Sequence, residues 1–268
     1  MNDSRWTWRS VSLISIAATV ILIAGFVYAV NDILHPKGEA LLTSLPQETA
    51  APAAEVVDEY RILALGDSLA KGTGDNSGNG FVRRTVEGLS ADGLKAALLG
   101  NMGINGQTTA GLLSSLKEEG VQYAVRQANI ILLSIGGNDL FQDSGITGTP
   151  DDEELTPQSL LAALPEASKR LGDILQYITE LNPQAQIYYV GLYNPFGDVP
   201  DLLVPGNQAV TLWNNAAMDI MNTHSNMTLV PTFDLFNRHL DKYLSGDHFH
   251  PNEEGYQRMG ERIVQAVR

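Results

Sequence analysis

Residues 61–69 read RILALGDSL, a short apolar run that passes directly into Gly66-Asp67-Ser68-Leu69. Continuous rather than alternating hydrophobicity marks a strand covered on both faces, as in a parallel sheet. Runs of the same kind recur at 96–102 (AALLGNM), 129–135 (NIILLSI), 185–192 (AQIYYVGL) and 227–233 (MTLVPTF). Helices are predicted between them, over 80–94, 108–127, 157–182, 207–223 and 252–267. In the third of these, Leu160, Leu164, Leu171, Ile174, Ile178 and Leu181 share one face, and Pro165 should split or kink the helix. Asn252 is suited to cap the last one. Strand–helix alternation predicts a three-layer α/β/α fold around a parallel five-stranded sheet. Ligands of such sheets bind beyond the carboxyl ends of the strands, and the polar motifs discussed below fall at such ends.

The whole chain has 268 residues, 44% hydrophobic and 18% charged, which is globular composition. Its 31 Asp+Glu outnumber 17 Lys+Arg, for a formal charge of -14. Such a chain repels phosphate backbones, so no nucleic-acid partner is expected. The absence of Cys removes disulfides, thiolate zinc sites, Cys nucleophiles and lipid-modified Cys.

The N-terminal part is different. Residues 10–30 (SVSLISIAATVILIAGFVYAV) run for twenty-one positions without a charge, and about 20 apolar residues cross a bilayer core. Arg5 and Arg9 precede the segment and no Lys or Arg follows until Lys37. The positive-inside rule then puts residues 1–9 in the cytoplasm and the remainder outside the cell. Trp6, Trp8 and Tyr28 stand where interfacial aromatics belong. The rival reading is a signal peptide cleaved after Ala29, which would leave the protein secreted. Residues 31–59, rich in Ala, Pro and Glu, have linker composition. A single domain over 60–268 is expected to follow.

Four polar blocks in that domain carry chemistry, and each has a bland alternative. Ser68, at a strand-to-helix turn, could project its hydroxyl from the sheet edge with its N–H facing developing negative charge, or could simply cap a helix. Gly66–Thr73 places Lys71 before Gly72, the wrong order for a phosphate loop, and Ala70 breaks the G-x-S-x-G elbow. Gly106 closes the segment after the second strand and could let a backbone N–H approach a ligand; alone it is a turn glycine. Gly136-Gly137-Asn138-Asp139 offers a neutral amide donor, or only a turn. Asp247-His248-Phe249-His250-Pro251 could supply an imidazole and the carboxylate that orients it. It could equally be a surface pair or, with His248, a metal site, although His35, His224 and His239 add no metal-type spacing.

In this order, GDSL, Gly106, GGND and D-x-x-H-P resemble the SGNH (GDSL-type) hydrolases, over about residues 60–268. Among them the chain looks most like bacterial membrane-tethered lysophospholipase-like or acyl-esterase members. The resemblance implies a flavodoxin-like sheet of order 2-1-3-4-5 and a serine esterase. Ser68 would be the nucleophile, His250 the general base and then acid, and Asp247 its orienting partner. Ser68 N–H, Gly106 N–H and the Asn138 side chain would form the oxyanion hole. Asp67 and Asp139 would be supports that fix the turns. No cofactor and no metal is implied. Where the family often has Gly after the Asp, this chain has His248.

The implied partner is an acyl ester, either a lipid such as a lysophospholipid or an O-acetylated cell-wall glycan. A tether would bring the domain near both, and the chain says nothing of its oligomeric state. Two segments, 142–157 (QDSGITGTPDDEELTP) and 194–207 (NPFGDVPDLLVPGN), are expected as loops at the rim of the site. Phe196, Leu202, Leu203 and Val204 would line an acyl groove or merely pack on the domain. A reading of another class, a tethered binding protein without turnover, is separated from the enzyme by a serine-directed phosphonate probe.

Overall fold

The computed structural model describes residues 4–34, 59–141 and 157–268. Of the loop expected over 142–157, all but Pro157 lies outside the described residues, as does most of the expected linker. The chain divides into two units, Met1–Val56 and Val57–Arg268.

In the first unit, helix α1 (Ser4–Leu34) is uninterrupted. Its stretch Trp8–Asn31, 24 residues, is long and apolar enough to cross a membrane. At 1.5 Å per residue it reaches about 36 Å, beyond the roughly 30 Å of a hydrocarbon core. Its apolar side chains from Trp6 to Val30 are exposed.

The second unit alternates as expected. In chain order it runs β1 (Tyr60–Gly66), α2 (Ser68–Lys71), α3 (Gly80–Ala91), β2 (Ala96–Gly103), α4 (Thr109–Ser115), α5 (Glu119–Gln127) and β3 (Ile130–Ser134). After these come α6 (Gly137–Phe141), α7 (Pro157–Ala162), α8 (Leu164–Leu181), β4 (Gln186–Val190), α9 (Pro200–Met221) and β5 (Met227–Val230). Three helices close the chain: α10 (Phe233–Phe236), α11 (Leu240–Tyr243) and α12 (Glu253–Val267). The sheet is parallel throughout, in the order β2-β1-β3-β4-β5.

Strand alternation sorts the core into two layers. Leu63, Leu65, Ile131, Leu133 and Tyr189 face α4, α5, α8 and α9. Ile62, Ala64, Ile130, Leu132 and Tyr188 face α3 and α12. Both faces of β1 and β3 are buried, which explains their unbroken apolar runs. Each fully buried Leu or Ile contributes about 1.5–3 kcal/mol of transfer free energy. The strand β2 departs from the expectation. It sits at the sheet edge and is only half-buried, with Leu99 and Asn101 exposed.

Two helical expectations change, and the break expected near Pro165 is found. The helix predicted over 108–127 is two, parted at Leu116–Glu118, where Glu118 takes an extended conformation. The one predicted over 157–182 breaks at Ala163, and Pro165 falls in the first turn of α8, where its missing N–H does no harm. Helix α9 begins at Pro200 rather than 207, with Pro205 inside it, so the expected rim loop shrinks to 194–199. Asn252 caps α12, accepting from Gly255 N–H at 3.0 Å.

Candidate active site

The end of β1 fixes Ser68 in place. Gly66 has φ +128°, and a Cβ there would lie 1.8 Å from the Ser134 carbonyl oxygen, so only glycine lets the chain turn against β3. Asp67 caps α2, its Oδ1 accepting from Leu69 N–H at 3.0 Å and from Ser134 Oγ at 2.8 Å. Burial pushes the Asp67 carboxyl up to about 7, although these hydrogen bonds pull the other way. Ser68 follows as the first residue of α2, buried but for its mouth on the cleft.

The loop between α11 and α12 brings up the imidazole. It is closed by Ser245 N–H on His250 O at 2.8 Å and by the bridge between Leu244 and Pro251. Asp247 organises its turn. Its Oδ1 accepts from the Phe249 and His250 N–H groups, each at 2.9 Å, and from Ser245 Oγ at 2.8 Å. Its Oδ2 lies 2.7 Å from His250 Nδ1. Partial burial tends to raise the Asp247 carboxyl, but the bonds from the His250 ring, the two N–H groups and Ser245 outweigh it and hold it well below the usual carboxylate range.

On the other side of the ring, His250 Nε2 stands 2.7 Å from Ser68 Oγ. With Nδ1–H donating to Asp247, Nε2 presents its lone pair to the hydroxyl proton. Both ring nitrogens thus face a partner, Asp247 on one side and Ser68 on the other. His248 points elsewhere in role: it is exposed, its N–H bonds Ser245 O at 3.1 Å, and its φ of +54° is unusual for a residue with a side chain.

The two other residues singled out lie on the same side of the sheet. Asn138, second residue of α6, lines the cleft together with Ser68. Its Nδ2 donates to Gln107 O at 2.8 Å, and an amide nitrogen has a second hydrogen to give. Gly106, at φ +73°, immediately precedes Gln107. Asp139 accepts from Thr109 N–H at 2.8 Å.

The cleft walls are largely apolar. Phe141, Leu192, Tyr193 and Phe249 line it beside Ser68. Phe249 packs edge-on to Phe141 with centroids 6.2 Å apart. Phe196 lies 5.5 Å from Phe141 and is buried behind the wall rather than open to a groove. Of the other rim residues expected, Leu202 packs on the core, Leu203 is partly exposed and Val204 is exposed. The signal available in the sequence was position: Phe141 lies two residues past the GGND block and Phe249 inside the D-x-x-H-P block.

The model of the "GDSL-like Lipase/Acylhydrolase family" matches residues 64–258. The chain belongs to the GDSL-like lipase/acylhydrolase family. As a GDSL-like acylhydrolase it is a hydrolase acting on ester bonds. It is 31% identical to the uncharacterized protein YpmR of Bacillus subtilis, over 85% of this chain and 89% of that one. It is 28% identical to the spore germination lipase LipC of Bacillus licheniformis, over 76% of this chain and 94% of the relative. Among solved structures, the lipase Lip_vut3 from a goat rumen metagenome matches with a TM-score of 0.66 and 26% identity, covering 77% of this chain and 97% of that chain.

Proposed function

We propose that this GDSL-like hydrolase cleaves carboxylic esters through an acyl-enzyme on Ser68. The observation that carries the reading is the 2.7 Å contact between Ser68 Oγ and His250 Nε2, with Asp247 Oδ2 at 2.7 Å behind the ring. Ser68 Oγ attacks the ester carbonyl carbon while Nε2 takes its proton. The imidazolium that forms is stabilised by the Asp247 carboxylate. The carbonyl oxygen becomes an oxyanion held by Ser68 N–H, Gly106 N–H and the free amide hydrogen of Asn138, and each such donor is worth about 3 kcal/mol. His250 then protonates the departing alkoxide, and the acyl group remains on Ser68. In the second half His250 deprotonates water, which attacks the acyl carbon, and the acid leaves as the proton returns to Ser68 Oγ.

For the acyl group, the reading favours a hydrocarbon chain such as that of a lysophospholipid. The apolar wall of Phe141, Leu192 and Phe249 supports it, as does the lipase activity in the name of the relative from Bacillus licheniformis. The domain organisation fits the same picture: a cytoplasmic stub over 1–9, a single-pass anchor or signal segment over 10–30, a linker over 31–59, and an extracytoplasmic catalytic domain over 60–268. A panel of aryl esters from acetate to dodecanoate, hydrolysed by the full-length protein in detergent micelles, tests the proposal. Rising kcat/KM to eight carbons or more, lost in Ser68→Ala, is expected. Sharp preference for acetate would point instead to a glycan O-acetyl esterase, and turnover surviving in Ser68→Ala would remove the mechanism.

A further inference from the structure

The contacts that set the spacing between two proposed oxyanion donors lie behind the cleft. Gly106 belongs to the segment that enters α4, and Asn138 stands beside Asp139 in α6. Three hydrogen bonds join these segments. Asn138 Nδ2 donates to Gln107 O at 2.8 Å. Thr109 donates twice to Asp139, from N–H at 2.8 Å and from Oγ1 at 2.5 Å. The Asp139 side chain is only 3% exposed, and its counter-charge comes from a third element. Arg170, on α8, donates Nε to Thr109 Oγ1 at 2.8 Å and brings a guanidinium nitrogen to 3.4 Å from Asp139 Oδ1. The Thr109 hydroxyl thus spends its hydrogen on Asp139 and its lone pair on Arg170. A further tie runs to the nucleophile turn. With its amide oriented to satisfy both ends, Gln107 donates Nε2 to Gly66 O at 2.9 Å and accepts from Ser115 Oγ at 3.0 Å.

We propose that Arg170 is a positioning residue for ester cleavage: through Thr109 and Asp139 it fixes the separation between the Gly106 N–H and the Asn138 amide. The proposal rests on the oxyanion role assigned above to those two groups. Arg170 is not among the residues that line the cleft and acts on substrate only through its partners. Its guanidinium neutralises a buried carboxylate that would otherwise rearrange or recruit water. Donors stabilise an oxyanion only at about 2.7–3.1 Å from where it forms, so loosening the clamp weakens the transition state more than the bound ester.

The test uses the full-length protein with an aryl acetate, measuring kcat, KM and the thermal midpoint. The variants are Arg170→Gln, Arg170→Lys, Asn138→Ala and the double variant Asn138→Ala/Arg170→Gln. Arg170→Gln should lower kcat about 10- to 100-fold with KM within about twofold, the mark of an interaction made in the transition state. Arg170→Lys, which keeps a charge beside Asp139, should recover part of the loss. It also carries the test alone if Arg170→Gln fails to fold, since it should still fall below wild type in kcat with KM unchanged. The double variant should lose less than the product of the two single losses, because both changes act on the same coupled pair of donors. Wild-type kcat in both Arg170 variants beside an impaired Asn138→Ala would overturn the positioning role alone, as would multiplicative losses in the double variant. A wild-type kcat in Asn138→Ala would remove the oxyanion reading itself.

Discussion

His250 Nε2 and Ser68 Oγ are 182 residues apart in the chain and 2.7 Å apart in space. Ser68 stands at the end of the central strand β1, and His250 on the short loop before the last helix. Parallel strands bring both to the same edge of the sheet, and the Asp247-centred turn aims the ring. The reading of Ser68 as the nucleophile rests on that long-range contact.

Asp247→Asn tests the orientation of the ring. The amide can present a hydrogen to Nδ1, which would favour the tautomer with its proton on Nε2, the wrong one for taking a proton from Ser68. Loss of kcat by about 10³–10⁴-fold is expected, measured on an aryl ester at fixed pH, with the fold checked by circular dichroism. A loss below tenfold would show that the carboxylate does little for the base.

Asp67 gives a pH signature in stability. Its carboxyl goes from 3.8 in the ordinary state to about 7 in the folded one, chiefly through burial. Between those values the folded protein keeps a proton that the unfolded chain has released. The contribution of this group is therefore fully present below about 3.8 and is lost as pH rises through about 7. Asp67→Asn retains an acceptor for Leu69 N–H and carries no charge. The thermal midpoint of the variant, relative to wild type, should climb as pH rises from about 3.8 to about 7 and level off beyond. A difference that stays constant across the series would contradict the assignment.

His248 is the second imidazole of the loop, one residue removed from His250. With φ at +54°, it holds a conformation that costs an ordinary L-residue about 1–2 kcal/mol. Glycine adopts it freely but loses more entropy on folding. His248→Gly should therefore raise stability by up to about 1 kcal/mol in urea unfolding and keep turnover near wild type. Lost turnover in a folded variant would give His248 a part in the reaction.

Much of this arrangement could be read from the chain because it depends on local patterns. The runs at 61–65 and 130–134 are apolar throughout since both faces of β1 and β3 are covered. Asn252 announces a helix start by residue type, whereas the cap of α2 falls on Asp67 rather than on Ser68, and D-x-x-H places a carboxylate and an imidazole on one turn. Other features depended on partners far away. Pro200, Pro205 and Gly206 read as loop, yet packing of Ala209, Val210 and Trp213 against the core carries α9 back through them. Leu116 looks like the middle of one helix, but it is buried where α4 ends and the chain turns into α5. The clamp from Arg170 to Thr109 spans 61 residues and left no local mark. An arginine on an amphipathic helix is ordinarily a solvated one.

The most direct measurement is the intact mass of the full-length protein after reaction with a fluorophosphonate. Ser68 Oγ displaces fluoride from phosphorus when His250 accepts its proton, leaving a stable phosphonyl ester. A single adduct that maps to Ser68 and is absent from Ser68→Ala is expected. Protein that hydrolyses an aryl ester yet takes no adduct, or takes one that persists in Ser68→Ala, would contradict attack by Ser68.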